Sequence, residues 1–140
     1  MMTPIETALW GMSIDPSLTV EYRANPPSAN AAKTIRHIGG QPRIVKAKAV
    51  VDYQSDLAFV ARSAANAARF TPGEHLGLAV ELFLKRGRDW DNPIKLVQDA
   101  LSAGLKINDS RFECAVVIKR SVAPKRQGLR VTVYNLKEAL

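Results

Sequence analysis

At 140 residues, with 46% hydrophobic side chains, the chain is long enough to bury one real core, and a 24% charged share excludes global disorder. Lysine and arginine number 20 against 13 acids, a formal charge of +7, which points to a polyanionic partner, nucleic acid first. One cysteine, Cys114, excludes a disulfide framework and a cysteine-built zinc site; within the apolar run FECAVVI it reads as a buried, inert thiol.

The start, MMTPIETALWGM, lacks a charged leader and a long apolar core, so no signal peptide is expected. No stretch reaches the roughly 18 apolar residues of a membrane span, and a cytoplasmic location without membrane contact follows as the expectation. Residues 1–16 form an extension with no assignable pattern. From Leu18 the chain alternates, with Leu18, Val20 and Tyr22 on one face and Thr19, Glu21 and Arg23 on the other, as in a half-buried strand. Asn25-Pro26-Pro27-Ser28 ends it. The basic segment KTIRHIGGQPRIVKAK, with Gly39-Gly40 as its turn, fits a hairpin or mobile arm.

From about Ala47 to Phe70, Val50, Leu57, Val60, Ala61, Ala64 and Ala68 recur at helical spacing, and Thr71-Pro72-Gly73 stops the run. Residues 77–85, GLAVELFLK, read as a central strand, apolar on both faces apart from Glu81. A second helix follows: Asn92 suits its N-cap, Pro93 its first turn, Ile94, Val97, Ala100 and Leu101 its apolar face, and Gly104 its C-terminal stop. Residues 111–119 and 129–136 alternate again, joined by the basic loop SVAPKRQG. The expected fold is a single small α+β domain: a mixed sheet of about four strands, two main helices and a basic hairpin or arm.

The chemistry concentrates in RDWDNPIK, residues 88–95. In extended backbone Asp89 and Asp91 share a face and Trp90, read as a core residue, points the other way. Neighbouring carboxylates repel unless one is protonated or a cation lies between them, and a hard divalent ion such as Mg²⁺ or Mn²⁺ suits oxygen ligands. Lys95 falls in the first turn of the second helix, where a cation opposes the helix dipole at a cost of about 0.3–1 kcal/mol if exposed. Asp109 is a third candidate ligand only if the loop after that helix doubles back. On spacing alone, a solvated turn and a metal site both remain open. His37, with no acid near it in sequence, is not read as a ligand.

The string RDWDNPIKLVQDAL, its small-residue-glycine stop and the later Asn108-Asp109 pair resemble the core of the RusA family of Holliday-junction endodeoxyribonucleases. PPSAN at residues 26–30 is similar to that family's segment after its first strand. The resemblance covers roughly residues 18–136, with a connection from Asp99 to Asp109 one residue shorter than usual and Asn108 where some members carry Asp. It implies a Mg²⁺-dependent endonuclease, with Mn²⁺ a possible substitute, that nicks four-way DNA junctions symmetrically as a homodimer. The site residues it implies are Asp89, Asp91 and Asp109 as metal ligands, joined by Lys95 in catalysis and supported by Asn92 and Asp99. Lys33, Arg36, Arg43, Lys46, Arg86 and Arg88 are the expected DNA contacts. Two rivals stand beside this reading: a non-catalytic basic DNA-binding protein, and a Mg²⁺ nuclease for other branched DNA.

Overall fold

The alternation that starts at Leu18 is the visible part of a longer strand. In the structure, a computed structural model that describes residues 11, 13–27, 33–88 and 93–140, β1 spans Ser13–Tyr22. Its pairing with the last strand shifts register between Ile14 and Leu18. Pro16 lies in that interval and has no N–H to donate to a ladder, so the regular alternation is legible only beyond it.

The basic segment forms β2 (Lys33–Ile38) and β3 (Gln41–Lys46), an antiparallel pair outside the main sheet. Gly39 and Gly40 both have positive φ, at 60° and 79°, the geometry a two-residue hairpin turn needs to match strand twist. Helix α1 (Lys48–Ala68) follows, then β4 (Leu76–Leu84), α2 (Ile94–Leu105), β5 (Phe112–Ser121) and β6 (Gly128–Leu136). The main sheet runs β1-β6-β4-β5, with β4 parallel to β5 and antiparallel to β6. This is the expected single small α+β domain with a four-stranded mixed sheet, two helices and a basic hairpin.

Both helices cover one face of the sheet. Leu57, Ala61 and Ala65 of α1 and Val97, Ala100 and Leu101 of α2 bury against Leu18, Val20, Leu78, Val80, Leu82, Val131 and Val133. Burying an apolar side chain of this size is worth about 1.5–3 kcal/mol, and this layer is where the fold's stability lies. On the other face Glu81, the acid inside a central strand, is explained by pairing. Arg120 meets it at 2.8 Å and Arg130 at 3.3 Å, and Arg130 also reaches Glu21 at 3.0 Å. Cys114 lies half-buried on this face beside Ala79, Tyr134 and Leu136, and burial raises its thiol pKa, in keeping with an inert role.

Gly104 does not stop α2. The helix continues through it, and Lys106 takes the left-handed cap position with φ 57°. A Cβ at position 104 would lie 2.5 Å from the Ala58 carbonyl oxygen, so the glycine is there for the crossing of α1 and α2. Asn92, the expected N-cap, lies outside the described residues; the described helix has Pro93 at its N-terminal boundary.

One core group is unmatched. The Tyr53 hydroxyl is buried without a hydrogen-bond partner among the described residues, its ring 5.3 Å from that of Tyr22. Burial pushes its pKa well up. Tyr53→Phe removes an unsatisfied polar atom and keeps the ring, so it is expected to stabilise the fold by about 1 kcal/mol, read as a raised urea midpoint at unchanged slope. No helix among the described residues is long and apolar enough to cross a membrane.

Candidate active site

The path to the site leaves the C-terminal end of β4. The turn after Leu84 is held by Gln127, whose side-chain oxygen accepts from the Lys85 amide at 3.1 Å and from Arg88 at 3.4 Å, while its amide donates to Pro124 O at 3.0 Å. Arg88 is half-buried, not extended into solvent. Its guanidinium also donates to the Asn25 side chain and, at 2.7 Å, to Pro26 O. One cation therefore ties the Asn-Pro-Pro segment after β1 to the start of the acidic run, joining in space two motifs that are more than sixty positions apart. Asp89, Trp90, Asp91 and Asn92 lie outside the described residues.

Beyond them the chain enters α2, and the loop that leaves it does double back. The Ile107 amide bonds to Ser102 O at 3.0 Å, closing the helix end around the left-handed Lys106. Asn108 then accepts from the Ser110 amide at 2.9 Å and caps a single 3-10 turn, Asp109–Arg111. That turn presents Asp109 to Lys95: Nζ lies 3.5 Å from the Asp109 carboxylate and 3.0 Å from that of Asp99, one helical turn along α2. Lys95 thus links two of the acids singled out in the sequence. The cost of a cation near the start of α2 is offset by these partners.

The electrostatics fix its protonation. The hydrogen bond to Asp99 raises the Lys95 pKa, the charge of Asp99 adds to this, and Asp109 contributes less. At neutral pH the amine is therefore a standing ammonium, suited to meeting negative charge and unsuited to accepting a proton. Among the described residues no cluster of three metal-ligating side chains forms. Asp109 carries carboxylate oxygens of the kind a hard divalent cation takes, and Asp89 and Asp91 share that chemistry in the sequence.

The basic residues fall into two regions. In the hairpin Arg36 lies directly across from Arg43, and Lys33 across from Lys46. The Lys46 ammonium donates to Gln54 at 3.1 Å, and the Gln54 amide donates to Leu96 O at 3.1 Å, so the hairpin base is anchored beside Lys95. Lys46 and Asp99 line one groove between α1 and α2. Arg86 is exposed in the turn after β4, where Gly87 has φ 92°. Gln54 and Gln127, which set these positions, carry no sequence signal, because a polar residue in a loop or on a helix face is the commonest kind of residue there.

The family model described as endodeoxyribonuclease RusA matches residues 24–134. No curated protein matches significantly. Among solved structures, 2C-methyl-D-erythritol 2,4-cyclodiphosphate synthase from Plasmodium vivax overlaps with 84% of this chain and 90% of its own, at 10% identity and a TM-score of 0.31, too distant to carry an argument. The matched region runs from the Asn-Pro-Pro segment through Lys95, Asp99 and Asp109 to β6, and so takes in the whole described site: the chain belongs to the RusA endodeoxyribonuclease family.

Proposed function

We propose that the chain is a divalent-metal-dependent endonuclease that resolves four-way DNA junctions in the cytoplasm by paired, symmetric nicks. In this reading residues 1–140 act as one nuclease domain and two copies form a homodimer, since a two-fold pair supplies two equivalent sites. The observation that carries the reading is the convergence of Asp99 and Asp109 on Lys95, which follows the Asp89-Asp91 run in sequence, in a member of an endodeoxyribonuclease family.

Asp89, Asp91 and Asp109 would hold Mg²⁺, with Mn²⁺ as a substitute. Bound there, the ion supplies charge neutralisation at the scissile phosphate and a more acidic water. Lys95 aims a permanent positive charge at the phosphate oxygens as negative charge develops on them. Asp99 keeps the amine pointed and protonated. The N-terminal dipole of α2 also favours a phosphate. Arg88 fixes the turn after β4 to the Asn-Pro-Pro segment, and the exposed Arg36, Arg43, Lys46 and Arg86, with Lys33, hold the DNA backbone by charge.

The deciding experiment is cleavage of four-way, three-way, flap and linear duplex DNA with and without Mg²⁺, on wild type and Asp91→Asn in parallel. Metal-dependent cutting of the four-way substrate, lowered at least ~100-fold in Asp91→Asn at unchanged junction affinity, is expected. Absence of cutting with tight binding would leave a DNA-binding module, and cutting that ignores Mg²⁺ would leave a nuclease without the proposed metal. Equal cutting of linear duplex would leave a nuclease of broader scope.

A further inference from the structure

The β2–β3 hairpin has two unlike faces, and among the described residues neither is covered. On one, Ile35 and Ile44 are directly opposed and 67% and 74% exposed, beside the equally opposed His37 and Pro42. On the other, Arg36 faces Arg43 across the ribbon, with Ile38 near the turn at 56% exposure. Like charges directly opposite in a strand pair destabilise it, and an isolated two-stranded hairpin is only marginally stable in water. Both features become favourable if an anion neutralises the arginines and an apolar surface covers the isoleucines.

Charge identifies what meets both needs. Between Glu21 and Asp52 the chain has no acid at all, while it carries Arg23, Lys33, Arg36, Arg43, Lys46 and Lys48. Packing this segment against its copy in a second chain would set cation against cation. DNA offers phosphates for the arginines and base faces for the isoleucines, and apolar side chains are known to wedge between base steps and unstack them. The ribbon also starts from the site: its last residue, Lys46, is fixed through Gln54 to the first turn of α2, one residue from Lys95.

We infer that the hairpin is a strand-separating arm, with Ile35 and Ile44 packing on bases unstacked at the branch point while Arg36 and Arg43 close on flanking phosphates. This rests on the reading of the chain as a junction-binding protein, and not on its cutting DNA.

The test uses a four-way junction carrying 2-aminopurine beside the branch point, in EDTA so that no strand is cut. Wild type is expected to raise the fluorescence. Ile35→Thr/Ile44→Thr, which keeps β-branched residues in the ribbon, should lose that rise with affinity within about threefold, because phosphate contacts supply most of the binding. Arg36→Gln/Arg43→Gln should weaken binding and lower the salt-dependence slope by about two. Unchanged fluorescence in wild type, a full rise in the isoleucine variant, or a drop in that variant's sedimentation mass (which would make the pair a subunit contact) would each overturn the inference. Addition of Mg²⁺ to wild type separates the two readings. A fluorescence rise without cutting keeps the arm and ends the nuclease assignment; cutting with a normal rise in the isoleucine variant does the reverse.

Discussion

Substitution of Lys95 by glutamine is expected to reduce junction cleavage by about 10²–10³-fold while junction binding changes little, as for removal of one preorganised electrostatic donor at a reacting centre. Lys95 lies within ion-pair distance of Asp99 and Asp109, and its raised pKa keeps it charged, so its loss removes a fixed positive charge and not a proton acceptor. The partners should separate in the same assay. Asp109→Asn removes a carboxylate assigned to metal binding, and the variant should need far more Mg²⁺ for half-maximal cutting. Asp99→Asn should leave that Mg²⁺ requirement nearly unchanged and lower the rate about 10–100-fold, because a neutral amide holds the lysine more weakly than the carboxylate does. If Lys95→Gln cuts at the wild-type rate, the lysine is merely a bridge between two surface acids, and the assignment of the centre is wrong.

Replacing Gly104 with alanine is expected to destabilise the domain by about 2–3 kcal/mol, in the range of overpacking at a tight contact. The sign is what makes this informative. Glycine inside a helix ordinarily costs about 1 kcal/mol relative to alanine, so the same substitution at an uncrowded site would stabilise. Here the added methyl meets backbone, the Ala58 carbonyl oxygen at 2.5 Å and its Cα at 3.0 Å, and backbone cannot rotate out of the way as a side chain would. Chemical unfolding monitored by circular dichroism would read the change as a lower midpoint. A higher midpoint would mean that α1 and α2 do not cross this closely. The effect should extend to cleavage, since Lys95 and Asp99 ride on α2 and Gln54 fixes α1 to the start of that helix.

The difference between Gly104 as a stop and Gly104 as a crossing point marks the boundary of what sequence can supply. Period-two and period-3.6 patterns record which residues face an apolar layer, and they located β4, β6, both helices and the basic hairpin with its Gly39-Gly40 turn. The D-x-D string, Lys95, Asp99 and Asp109 carried the family resemblance, and the family match bears that resemblance out. Patterning is blind to relations between segments. It did not show the β1-β6-β4-β5 order, which depends on which apolar faces meet after collapse. Nor could it tell whether Asp109 approaches Lys95: that depends on a left-handed Lys106, an Asn108 cap and one 3-10 turn, each a local choice with several alternatives until packing removes them. Arg88 shows the same limit, since an arginine beside acids looks like a surface cation until the fold brings Asn25, Pro26 and Gln127 around it. The sequence determined which groups were available and which faces were buried. Only the tertiary structure decided which distant groups met, because the free energy that selects those meetings belongs to the packed core and not to any segment alone.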